Sequence, residues 1–250
     1  MRAGGRTPLI VSLRVGLYIQ HIQSADLFAC HAAAIEDEIP LSTGLMAYQA
    51  YVIGSVFAAV ASLEAVINHV FADSADPNFA SNAFKNSMVE HLSADIRTLL
   101  ATVWQFTGID RKPNAIDKFS IALKLASISG PPMGGIDMGG GSAYDDAKCL
   151  INLRNYLTHY IPSTTTFPSN GEILIQDKAG EVLEEKLRNK KIPLNKVDEM
   201  QNGPFPTRYL SAGCARWAVA SSARFTLDFF SAIGITSSFE TVLLGLAQGR

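Results

Sequence analysis

What this chain has little of narrows it first. Its three cysteines, Cys30, Cys149 and Cys214, are odd in number and far apart, so they frame no disulfide scaffold, and a reducing cytoplasm is the natural setting. Each falls in an apolar helical pattern, where a free thiol acts as a small hydrophobe. Neither Cys-x-x-Cys nor His-Glu-x-x-His occurs, and the histidines at 21, 31, 69, 91 and 159 lack ligand spacing, so no metal and no cofactor is expected. Charge is also scarce: 18% of 250 residues are Asp, Glu, Lys or Arg, and the net charge is −2. That balance excludes a global basic footprint for nucleic acid and leaves such a role to local patches. Low charge beside 48% hydrophobic residues also excludes a disordered chain. No internal repeat and no second core is found, so residues 1–250 read as one mostly α-helical domain with an insertion at about 163–206.

Helical periodicity fills most of what is there. The opening MRAGGRTPLIVSLRVGLYI imitates a targeting segment until Arg14 interrupts its apolar run. Between Leu9 and Ile19 the apolar residues alternate, which predicts a half-buried strand. Ser24 is placed to cap a helix running to Glu38, and Ser42 one spanning Thr43–Ala72. From Leu45 to Leu63 the latter carries no charge, but Gln49, Ser55, Ser62 and two tyrosines dilute it, so a core helix is expected and no membrane partner. Further amphipathic helices are predicted at Asn82–Gln105, Asn114–Ser127, Gly180–Ile192 and Thr207–Ile233, with a turn at Thr107–Pro113 and a short strand at Glu172–Gln176. The fold expected is an antiparallel helical bundle with a small β-strand addition. The glycine-rich Gly130–Ser142 lacks the Lys-Ser or Lys-Thr of a phosphate loop and reads as a loop between helices.

One stretch carries chemistry. Ser142 followed by Asp145 forms a capping box, and Pro162 cannot continue a helix, which predicts a helix from Ala143 to about Tyr160. Its apolar side holds Cys149, Leu150, Leu153, Tyr156, Leu157 and Tyr160, and its polar side Lys148, Asn152, Arg154, Asn155, Thr158 and His159. An Arg five positions before a His is expected by chance about 0.2 times in a chain of this composition, and with Asn directly after the Arg about 0.01 times. Earlier in the chain, Glu64 is the single acid of the predicted Thr43–Ala72 helix, and Asn68, four residues on, shares a face with it on which the two could bond each other or a neighbouring cation.

At Arg154-Asn155-Tyr156-Leu157-Thr158-His159 the chain resembles the HEPN superfamily, whose last core helix carries an Arg, four to six residues, then a His. Asn after the Arg is the commonest form there, and LRNYLTHYIP is similar to a variant of that family ending in Pro. Ala61–Phe71, read ASLEAVINHVF, is similar to the Glu-bearing helix of the same proteins. The resemblance implies a HEPN-like bundle, a homodimer, and a metal-independent endoribonuclease of toxin or defence type that leaves a 2′,3′-cyclic phosphate. It implies Arg154, Asn155 and His159 as catalytic, with Glu64 as an accessory acid. In some members a Tyr two residues after the His is modified by a partner nucleotidyltransferase; here Tyr160 is one residue after and Ile161 holds the second place.

The chemistry of those side chains is compatible with this. An imidazole changes charge near neutral pH and can take the 2′-hydroxyl proton or protonate the leaving oxygen, while a guanidinium grips phosphate oxygens bidentately. One His per chain supplies acid or base, so two copies around one phosphate would supply both. Candidate RNA contacts are Lys148 and Thr158 on the strip and the basic cluster Lys186, Arg188, Lys190 and Lys191, with RNA as substrate and an antitoxin or another protein as a further partner. The alternative is a non-catalytic HEPN-like module that binds nucleotide, RNA or protein through the same groups. A third reading makes Arg154 and His159 structural side chains that hold helices together.

Overall fold

The computed structural model describes residues 16–38, 44–76, 87–109, 115–128, 136–137, 140–160, 177–196, 201 and 203–249. Among these, eight α-helices form the protein: α1 (Tyr18–Glu38), α2 (Leu45–Ser74), α3 (Ala94–Thr107), α4 (Ala115–Ile128), α5 (Ala143–Thr158), α6 (Lys178–Asn189), α7 (Ala212–Ile233) and α8 (Glu240–Ala247). The helical bundle expected from periodicity is therefore present. No strand occurs among the described residues. The alternation ending at Ile19 does not persist there, because Tyr18 and Ile19 open α1, whose buried Ile22, Ala25, Ala29 and Ala32 follow the helical period. The rest of that segment, and Glu172–Gln176, lie outside the described residues.

The 30-residue α2 runs through the middle, between α1 and α7, with α3, α4 and α5 also packed on it. Its buried Val52, Val56, Ala59, Leu63, Val66 and Val70 recur at three- and four-residue steps, the spacing of one wide apolar face. This helix is long and apolar enough to cross a bilayer. Its serines, however, bond to neighbouring helices: Ser55 Oγ donates to the Ala25 carbonyl at 2.9 Å and Ser62 Oγ to the Tyr18 carbonyl at 2.9 Å. From α7, Ser222 Oγ donates to the Ala59 carbonyl at 3.0 Å. Small side chains let these backbones approach, and the hydroxyls of Ser55, Ser62 and Ser222 find acceptors across the interface.

Helix boundaries follow their caps. Ser142 accepts from the Asp145 amide at 3.2 Å, and Asp145 accepts from the Gly141 amide at 3.3 Å, so the capping box forms one residue off its ideal reciprocity. α3 is capped by Ser93, which accepts from Ile96 N, and the buried Val89 and Leu92, expected inside the helix, belong to the turn before it; Asn82 lies outside the described residues. Ser24 does not cap α1 but sits inside it, its hydroxyl returned to the Gln20 carbonyl at 2.7 Å. The closing helix is split: a 3₁₀ turn at Thr207–Tyr209 precedes Ser211, whose Oγ accepts from Cys214 N at 2.9 Å and donates to the Pro193 carbonyl at 2.7 Å. Leu183, Leu187 and Ile192 join the same hydrophobic cluster as α1, α2 and α7, so α6 shares the bundle's core. Cys149 and Cys214 are buried, burial pushing their thiols up to about 11 and about 12 respectively, whereas Cys30, expected in an apolar pattern, is exposed.

Candidate functional site

The α5 polar strip is divided by the fold. Arg154, with 22% of its side chain exposed, turns onto α2 and pairs through Nη2 with Glu64 Oε1, across 90 residues of chain. The two segments that carry the family resemblance are thus joined directly. One turn further along α2, Asn68 Oδ1 accepts from Lys118 Nζ of α4 at 2.8 Å. Glu64 and Asn68 do not bond each other in this arrangement; each receives a separate cation from a different helix.

Lys118 was not singled out by sequence, although it is 5% exposed. The signal is present: Ala115, Ile116, Phe119 and Ala122 form the inner face of α4, and Lys118 falls three residues after Ala115 on that face. A cation placed there needs buried partners, and α2 supplies one.

Asn155 is half-buried, and Thr158 and His159 are exposed at the end of α5. His159 is the C-cap residue, its amide donating to the Asn155 carbonyl at 2.9 Å, and Thr158 Oγ1 donates to the Arg154 carbonyl at 2.8 Å. Five residues along an α-helix turn the side-chain direction by about 140°, so Arg154 faces α2 while His159 points to a different sector of the helix end.

On the flank of α5 turned away from Arg154, Tyr156 donates its hydroxyl to Asp177 Oδ2, and Asp177 Oδ1 accepts from the Gly180 amide at 2.9 Å as the cap of α6. Burial first, and then the Asp177 carboxylate, push the Tyr156 phenol well above its ordinary value. Its ring lies 5.0 Å from Phe205 and 5.9 Å from Tyr160, centroid to centroid.

The expected basic cluster also divides. Lys190 has 9% of its side chain exposed and is held by Asp145 Oδ2 at 2.7 Å and Asp146 Oδ1 at 2.5 Å, tying the end of α6 to the start of α5. Lys190 is thereby a structural cation and is not available to track an RNA backbone. Lys148, Lys186, Arg188 and Lys191 are exposed, Arg188 with Glu184 Oε1 3.8 Å away. Among the described residues no three His, Cys, Asp or Glu side chains gather as a metal-binding group. Protein-family models, curated proteins and solved structures give no match to this chain.

Proposed function

We propose that the protein is a HEPN-like endoribonuclease that needs no metal and acts as a homodimer, in the manner of a toxin or defence effector. The observation that carries this reading is the direct Glu64–Arg154 pair, which brings the two motif-bearing helices together beside Asn155, with His159 exposed at the same helix end. In the proposed reaction the RNA 2′-hydroxyl attacks the adjacent phosphorus. His159 of one copy takes its proton as the new O2′–P bond forms. The P–O5′ bond breaks, and protonated His159 of a second copy gives its proton to the leaving oxygen, leaving a 2′,3′-cyclic phosphate and a 5′-hydroxyl. Arg154 meets the charge on the non-bridging oxygens, with Glu64 holding the guanidinium in place beforehand, and Asn155 orients phosphate or ring.

The test is RNA, structured and unstructured, incubated with purified protein in excess chelator, comparing wild type with His159→Ala and Arg154→Ala. Cleavage with cyclic-phosphate ends is expected, falling about 100-fold or more in His159→Ala. Cleavage undiminished in that variant would overturn the reading. A second reading, a non-catalytic module binding nucleotide, RNA or protein, is favoured by one observation: Glu64 already neutralises Arg154. RNA bound but never cut by a folded wild-type dimer would select it.

A further inference from the structure

We propose that the channel between α5 and α6 is a binding groove for single-stranded RNA, receiving one base on Tyr156 and flanking phosphates on Lys178 and Lys186, and that it leads the strand toward His159. The nature of the ligand rests on the ribonuclease reading above; the groove itself rests on geometry. It is an open cleft of about 520 Å³, lined by Asn152 and Tyr156 of α5 and by Lys178, Val182, Leu183 and Lys186 of α6.

The two walls have complementary chemistry for a nucleotide. Lys178, Val182 and Lys186 recur every four residues, so they form one row along α6 with the Cα atoms of the two lysines about 12 Å apart along the axis. Both lysines are exposed, and among the described residues no acidic side chain lines the groove. Two carboxylates stand beside it: Asp177 is engaged by the Gly180 amide and the Tyr156 hydroxyl, and Asp145, whose carboxyl Lys186 helps to lower, is engaged by Lys190 Nζ at 2.7 Å. The second wall offers a π-face and an amide: Tyr156 is fixed by its hydroxyl and by the Phe205 ring, so a base stacking on it orders no further side chain. Tyr160, 47% exposed, continues the aromatic surface, and Asn152, Tyr156 and His159 follow one another at helical spacing along the same edge of α5. Aromatic platforms beside a row of cations are what a single strand requires, whereas a duplex hides its base faces and cannot enter a cleft of this size.

The experiment measures binding separately from cleavage. In the full-length His159→Ala background, fluorescence anisotropy with a short unstructured RNA is compared for Lys178→Glu/Lys186→Glu and for Val182→Asp, with circular dichroism confirming the helical fold of each. Affinity is expected to fall roughly 10- to 30-fold at about 0.1 M salt in the double variant, and the slope of log K against log salt to shrink by about 1.4, the value for two lost single-strand phosphate contacts. Val182→Asp is expected to weaken binding without altering the lysines, and a duplex of the same sequence to bind less well than the single strand. Unchanged affinity and slope in the double variant, duplex binding equal to single-strand binding, or no binding of the single strand overturns the groove. Its fate is separable from that of the nuclease. Groove-dependent binding by a wild type that never cleaves sinks the nuclease and keeps the groove. Cleavage lost in His159→Ala but with KM unmoved in Lys178→Glu/Lys186→Glu does the reverse.

Discussion

At the scale of single residues, polar side chains removed from water decide local geometry, and two of them permit quantitative expectations. Tyr48 is fully buried; its hydroxyl donates to Glu36 Oε1 at 2.6 Å and accepts from the Ala212 amide at 3.1 Å, joining α1, α2 and the start of α7. Tyr48→Phe leaves both partners short of a bond and is expected to destabilise by about 1–3 kcal/mol, read as a lower urea midpoint at unchanged slope. Lys190 is the second case. Its hydrogen bond holds the Asp145 carboxyl below the usual carboxylate range despite some burial. Burial alone would lower Lys190, but Asp145 and Asp146 prevail and hold it above the ordinary lysine value. A depressed carboxylate stabilises above its unfolded value of about 3.9 and loses this as pH falls through the folded one; a raised lysine stabilises below about 10.4 and loses this as pH rises through its folded value. Lys190→Met is therefore expected to lose about 1–2 kcal/mol near pH 7, discounted because Asp145 is 38% exposed, and to show a shallower loss of stability between about pH 5 and pH 3 than wild type in urea titrations.

At the scale of elements, the caps set where helices begin and end, and several were readable in advance. Ser142 with Asp145 marks the start of α5 because a hydroxyl followed by a first-turn acid satisfies amides that the helix leaves open. Other boundaries were hidden because the sequence offers more caps than helices use. Ser24 has a cap's composition but lies within α1, since burial of Tyr18, Ile19 and Ile22 against α2 outweighs the local signal. Ser211, one residue from the start of α7, bonds on both sides, and Ser211→Ala is expected to cost about 1–2 kcal/mol, measurable as a lower thermal midpoint. Gly234 ends the same helix at φ 82°, a left-handed conformation in which Ala is strained, so Gly234→Ala is expected to cost about 1 kcal/mol by the same measurement.

At the scale of the whole molecule, the aromatic centre where α4, α5 and α7 meet holds the site's helix in place. Phe119 lies 4.8 Å from Phe225 and 4.7 Å from Phe229, and Tyr144 of α5 lies 5.8 Å from Phe225. Phe225→Ala opens a cavity there and is expected to cost about 3–5 kcal/mol, seen as a large fall in the urea midpoint.

Period, composition and capping are local properties, so the helical bundle, the core placement of the uncharged 45–63 stretch and the start of α5 are all readable from consecutive residues. The spacing of Arg154, Asn155 and His159 was legible for the same reason, since it is a local property of the chain, although the helix turns Arg154 and His159 about 140° apart. Which partners those groups meet is a matter of packing. Pairing Arg154 with Glu64, Lys118 with Asn68, and Lys190 with Asp145 and Asp146 depends on which helix faces which across 90, 50 and 45 residues of chain. Local spacing carries no information about that; it is set when many apolar faces are buried together, and the few cations caught between them take whichever acceptor the packing presents.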